Sequence, residues 1–124
     1  SITKQNPYKA IWREILTGKY TLCITNDILE EYAEVLSRNI SPYVSEAIIN
    51  TILTRKNVKR FDPHYSFGLI TQDPDDNKFV DCAIVSNANY IVTEDKHFNV
   101  LKKIPFPKVS IIGIDAFLQI LERD

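Results

Sequence analysis

The chain has 124 residues, 44% hydrophobic and 25% charged, the size and composition of one globular domain that buries a core without disulfide or metal staples. No apolar run approaches the roughly 20 residues that cross a bilayer, and a net charge of −1 with a pI near 6.1 argues against holding nucleic acid by bulk charge alone. The two cysteines, Cys23 in a predicted strand and Cys82 in a predicted helix, read as free core thiols, which points to a reducing, cytoplasmic setting.

The first predicted helix runs from Pro7 to Thr17, with Asn6 as N-cap, Pro7 at N1 and an apolar stripe of Tyr8, Ile11, Trp12, Ile15 and Leu16; Gly18 stops it. Leu22 to Thr25 reads as a strand. Asn26 or Asp27 then opens a helix that ends near Ser37 and turns Ile28, Leu29, Tyr32, Val35 and Leu36 to the core. Glu31 sits at the border of that stripe and Glu30 almost opposite its centre, so of the two only Glu31 reaches a crevice at the core's edge; a solvated border glutamate is the plainer alternative. After a break at Asn39 to Pro42, a third helix from Tyr43 to Thr54 turns Val44, Ala47, Ile48, Ile52 and Leu53 inward. Its basic end, Arg55, Lys56, Lys59 and Arg60, serves either as a dipole complement or as a set of phosphate contacts. Val58 to Phe61 reads as a short strand and Asp62 to Ile70 as a loop.

The densest stretch follows. Asp73 is placed to cap a helix, Pro74 supplies the fixed φ of its first position, and Asp75 and Asp76 fall in its first turn, where the helix dipole favours carboxylates. Phe79, Val80, Ala83, Ile84 and Ala88 recur at helical spacing; Asp76 lies on their buried side, and Asp81 points away. After a turn at Asn87 to Asn89, Tyr90 to Thr93 is short and β-branched enough for a buried strand, and Asp95 lies just past its carboxyl end. Phe98 to Lys103 reads as a short helix, Val109 to Ile112 as a strand, and Ile114 to Glu122 as a closing helix with Asp115 as its cap or first-turn acid. In open α/β sheets chemistry collects beyond the carboxyl ends of strands, and both Asp76 and Asp95 reach that edge. Taken singly, Asp73, Asp75, Asp76 and Asp95 also fit as caps and dipole complements.

Neither His64 nor His97 has a partner at zinc-ligand spacing, and three glycines form no phosphate-binding loop. Alternating strands and helices in one small domain predict an α/β fold, a three-layer α/β/α sandwich with a mostly parallel central sheet, spanning residues 1–124 as a single domain.

On these residues the chain resembles the PIN domain family, in the branch grouped with VapC-type toxins of bacterial toxin–antitoxin pairs. The resemblance rests on Asp73-Pro74-Asp75-Asp76-Asn77-Lys78-Phe79, on Ala83, and on Tyr90-Ile91-Val92-Thr93-Glu94-Asp95, then on Thr25 to Tyr32, where the family glutamate aligns with Glu31. It implies a ribonuclease that cleaves single-stranded RNA with Mg²⁺ or Mn²⁺ held by Glu31, Asp76 and Asp95, with Thr93 as the hydroxyl residue near the site. It also implies an antitoxin protein or a second copy of the chain as partner; that no membrane is expected follows instead from the lack of a spanning apolar run. Such hard ions prefer carboxylate and water oxygens, lower the pKa of a bound water, and leave Glu31 as a ligand or as the base that positions the water. The chain departs from the family twice: the family's further acid, two residues beyond Asp95, is His97 here, and the family's first acid ends an N-terminal strand that would precede Ser1. We therefore expect the folded molecule to contain an upstream segment or a strand from another copy, and residues 1–124 made alone to be poorly soluble and inactive. The rival readings are a PIN-like protein-binding module without catalysis and, more weakly, a phosphoacceptor receiver domain. The nuclease reading expects Glu31, Asp76 and Asp95 on one concave patch, with Glu30, Asp75 and Asp81 outside it.

Overall fold

The computed structural model describes residues 7–123, with side chains from Trp12 onward; the predicted cap at Asn6 and the stripe positions Tyr8 and Ile11 lie outside the described residues. In chain order the elements are α1 (Pro7–Thr17), β1 (Leu22–Ile24), α2 (Asn26–Asn39), α3 (Pro42–Thr54), β2 (Val58–Arg60), α4 (Asn77–Ser86), β3 (Ile91–Val92), β4 (Ile111–Ile112) and α5 (Ile114–Arg123). Both strand pairings are parallel. Leu22, Cys23 and Ile24 register with Val58, Lys59 and Arg60, and Ile91 and Val92 with Ile111 and Ile112. The chain is thus a mixed α/β fold, but among the described residues the expected continuous central sheet is two separate two-stranded sheets.

Helix α4 joins them. Its Cys82 belongs to the core cluster of Ile24, Ile28, Leu29 and Ile52 around β1, and its Val80 and Ala83 to the cluster of Ile70, Ile91, Phe98, Leu101 and Val109 around β3. Phe79 packs against both clusters, meeting Phe98 edge-on with ring centroids 6.4 Å apart. A third cluster, Ile114, Phe117, Leu118 and Leu121, seats α5 against Tyr20, Val92 and Ile112. Among the described residues no helix is long and apolar enough to cross a membrane.

Several boundaries move for identifiable reasons. Thr25 ends no strand: its extended backbone and side-chain oxygen cap α2, accepting the Ile28 N–H at 3.2 Å, so the cap is neither Asn26 nor Asp27. Ser41 caps α3 in the same way at Val44, one residue earlier than expected. In α3 the inward face carries Ser45, Ile48, Ile49 and Ile52, while Ala47 is exposed; the Ser45 hydroxyl is buried because it donates to the Ala33 carbonyl at 2.9 Å. Val35, Leu16 and Leu53, expected inside, are 37%, 39% and 45% exposed. The helix expected from Asp73 starts as a 3-10 turn over Pro74–Asp76, and α4 proper begins at Asn77. It ends at Asn87 in the left-handed region (φ 53°), so Ala88 reaches the core from beyond the helix. Lys96–Lys103 is 3-10 in character and begins two residues before the predicted short helix.

Candidate active site

Two features fix the start of α4. Asn77 clamps the preceding loop, its Oδ1 accepting the Ile70 N–H at 2.9 Å and its Nδ2 donating to the Ile70 carbonyl at 2.8 Å. Phe79 anchors the next turn between two core clusters. Between these anchors Asp76 and Lys78 leave in different directions.

Asp76 meets the acid beyond β3. Its side chain is only 15% exposed, and its Oδ2 is shut from solvent with no hydrogen-bond partner. Asp73 occupies the cap position but makes no capping hydrogen bond, which leaves its carboxylate facing the same space. Asp95 lies on the far side, ordered by its own turn: its N–H donates to Thr93 Oγ1 at 3.0 Å, and its Oδ1 accepts the His97 N–H at 2.9 Å. That turn brings the His97 ring in. Nδ1 lies 3.5 Å from Asp95 Oδ1, 3.6 Å from Asp76 Oδ2 and 3.9 Å from Asp73 Oδ2, and it too is buried without a hydrogen-bond partner. Burial first, and then the charges of Asp73 and Asp95, raise the Asp76 carboxyl above the ordinary carboxylate range.

Lys78 turns the other way. Its ammonium donates to Glu31 Oε1 at 2.9 Å and lies 3.1 Å from Asp75 Oδ1. The hydrogen bond to Glu31 raises the lysine's pKa, and the bond from Lys78 lowers that of Asp75. A groove of about 790 Å³ runs past this group, lined by Asp27, Glu30, Glu31, Glu34, Asp75, Asp76 and Lys78 among others. Glu31 and Asp76 therefore share a concave surface, but Glu30 and Asp75, expected outside it, line it as well. Asp95 does not line that groove; it joins Asp76 through His97 on the other side of the turn. Asp81 faces a separate, smaller groove and accepts the Phe67 N–H at 3.1 Å.

Of the basic residues, Arg55 and Lys56 precede β2 and so sit at the amino edge of its sheet, away from the acids; Arg55 donates to the Leu16 carbonyl at 2.6 Å. Lys59 and Arg60 are exposed on β2. Thr93, by contrast, sits in the turn that aims Asp95.

Sequence reasoning missed Asp73 and His97 as members of the cluster. Separation along the chain was the wrong measure for His97: the histidine has no ligand-spaced histidine or cysteine, yet a short 3-10 turn sets it among three carboxylates. One oxygen each of Asp73 and Asp76 and one ring nitrogen of His97 lie within 4.8 Å of one another, near enough for a single cation to draw them together. The donor chemistry fits such an ion: two sheltered atoms without hydrogen-bond partners, and carboxylates close enough to repel one another.

No curated protein and no solved structure matches the chain. The sequence model of the PIN domain, whose members are commonly nucleases that bind divalent metals, matches residues 2–97. That span runs from α1 through β3 to His97 and takes in Glu31, Asp73, Asp76 and Asp95. The chain belongs to the PIN domain family.

Proposed function

We propose that this domain is a metal-dependent ribonuclease that cleaves single-stranded RNA, the toxin component of a bacterial toxin–antitoxin pair acting in the cytoplasm. The observation that carries the reading is the Asp76 oxygen: shielded from water, without a hydrogen bond, and facing Asp73 and Asp95 across the His97 nitrogen. A carboxylate kept this way is costly unless a cation joins it. Asp76 and Asp95 would hold Mg²⁺ or Mn²⁺, directly or through water. When bound, the ion lowers the pKa of a water and draws charge off the scissile phosphate.

The chain's own residues supply the rest. Thr93 holds the Asp95 turn, so that carboxylate keeps its aim as the substrate changes. Glu31, held in place by the Lys78 ammonium, orients the attacking water or takes its proton. The water oxygen forms a bond to phosphorus, the bridging P–O bond breaks, and the leaving oxygen takes a proton from solvent. No side-chain nucleophile takes part. Lys78, in the first turn of α4, and Arg38 bring positive charge to a groove otherwise lined mainly by acids, where RNA phosphates must come close. Of the basic candidates Lys56, Lys59 and Arg60 are exposed, and Lys59 and Arg60, on β2 itself, are the pair available to a longer RNA.

The test is cleavage of single-stranded RNA by the purified protein with Mn²⁺ or Mg²⁺, against EDTA and Asp76→Asn. Activity should vanish in both controls. Cleavage that survives both would sink the reading, and absence of cleavage together with absence of metal binding would favour a protein-binding module.

A further inference from the structure

A histidine among acids usually finds one carboxylate and stays with it. A charged imidazole N–H to a carboxylate closes to about 2.7–2.9 Å. The His97 Nδ1 does not do this: it stands 3.5, 3.6 and 3.9 Å from oxygens of Asp95, Asp76 and Asp73, hydrogen-bonded to none and shut from solvent. The ring is not left there by a loose loop, because Asp95 Oδ1 holds the His97 backbone N–H and Phe98, the next residue, is buried in the core. The backbone that carries the ring is thus held at two points, and the nitrogen stands at a distance too long for a hydrogen bond.

Those distances do suit a shared ion. Six ligands at about 2.1 Å in octahedral array lie about 3.0 Å apart when adjacent and about 4.2 Å apart when opposite. The three separations from the His97 nitrogen fall between these two values, so that nitrogen and each carboxylate are spaced as ligands of one ion would be. Asp73 belongs to the same set, since its carboxylate is not spent on capping the 3-10 turn.

We propose that His97 is a metal ligand through Nδ1, and that with Asp73 and Asp76 it forms a nitrogen-and-oxygen site that prefers Mn²⁺ and other first-row transition ions to Mg²⁺. The inference rests on the metal-dependent reading above and adds the identity of the ion. Imidazole suits transition ions, whereas Mg²⁺ favours carboxylate and water oxygens and gains least from a nitrogen donor. A fourth carboxylate in the place of His97 would leave the site suited to either ion.

The experiment is pulsed electron paramagnetic resonance of Mn²⁺ added to the purified protein, with Mg²⁺ titrated in competition. The wild type should show modulation from one directly bound nitrogen. His97→Asp should still bind Mn²⁺, lose that modulation, and fall in its preference for Mn²⁺ over Mg²⁺ by on the order of tenfold. Bound Mn²⁺ without a directly bound nitrogen in the wild type overturns the inference and leaves the carboxylate site standing; that spectrum needs no variant to fold. An unchanged preference in a folded His97→Asp protein also overturns it. Failure to bind Mn²⁺ at millimolar concentration overturns both this inference and the metal-dependent reading.

Discussion

Replacing Asp76 with asparagine should stabilise the metal-free protein while destroying its activity. One oxygen each of Asp73 and Asp76 lies within 4.8 Å of the other, and Asp95 adds a second charge against Asp76. Two unit charges at that distance repel by about 0.9 kcal/mol in bulk water and about 3.5 kcal/mol at an effective dielectric of about 20. Asp76 is sheltered while Asp73 and Asp95 are over 40% exposed, so about 1–2 kcal/mol is the reasonable gain on neutralising Asp76. At about 2.1 cal/mol/K per residue over 124 residues, 1 kcal/mol moves Tm by about 4 °C, so the variant should melt about 4–8 °C higher in EDTA at low salt. The raised Asp76 pKa sets the pH dependence. The folded state holds this proton more tightly than the unfolded chain, so the group's favourable contribution is full below the ordinary carboxylate pKa and is lost as pH rises through the raised value. The variant's advantage should therefore be largest near neutrality and shrink as pH falls toward the ordinary carboxylate range. Mn²⁺ reverses the order: at about a hundred times Kd the wild type gains about 2.7 kcal/mol, and the variant gains little. Thermal melts over pH and Mn²⁺ concentration test all of this. A variant that melts at or below the wild type without metal at neutral pH refutes the electrostatic account of the cluster.

Asn77→Ala strips both hydrogen bonds from the backbone of Ile70, a residue only 2% exposed, and should cost about 2–3 kcal/mol, read as a Tm lower by about 8–12 °C. Thr93→Val keeps the shape but removes the acceptor for the Asp95 N–H, so kcat should fall roughly tenfold while Tm drops by no more than about 4 °C; unchanged kcat would show that the Asp95 turn needs no such support. Gly113→Ala would put a Cβ 3.0 Å from Glu94 Oε1, the atom that accepts the Ile114 N–H at the start of α5, and should lower Tm by about 4 °C as that cap loosens.

The helices were legible because their apolar stripes are long, and the strands because β-branched runs fall between turn residues. What failed was local chemistry that competes at the ends of elements. Thr25 reads equally well as the last residue of a strand or as a cap, and only the position of Ile28 decides it. Ser45 reads as polar and outward until the Ala33 carbonyl supplies its partner. The joined central sheet was inferred from alternation, yet alternation fixes which strands exist and not that all of them pair. In the site, Asp76 and Asp95 were found by their places at a helix start and a strand end. Asp73 was given a capping role because its sequence position is ideal for one, and the 3-10 turn that follows leaves that role unfilled. Zinc-ligand spacing could not find His97, because Asp73 and Asp76 lie some twenty residues earlier in the chain; its place two residues beyond Asp95, where the family has a further acid, was the signal that pointed to it.

The first turn of α4 is where the two halves of the molecule must agree. Lys78 faces Glu31 of α2, which follows β1 in the first sheet, and Asp76 faces Asp95 and His97, which follow β3 in the second. The two sheets share no strand pairing among the described residues, so the spacing between Glu31 and Asp95 is set largely by how Phe79, Val80 and Cys82 seat α4 on both core clusters. Five carboxylates gather there, with Lys78 between Glu31 and Asp75, and His97 among Asp73, Asp76 and Asp95. The two groups differ in what they lack. Around Lys78 the charges are paired at hydrogen-bond distance, so that side needs no further ion. Around His97 no contact between the ring and a carboxylate closes to that distance, and the unmet demand is for positive charge at a point within reach of oxygen and nitrogen donors together. A packing change on α4 that shifts Asp76 by a fraction of an ångström would spoil the second group long before it unfolds the first. Loss of metal affinity should therefore precede loss of stability in core variants of Phe79 and Val80.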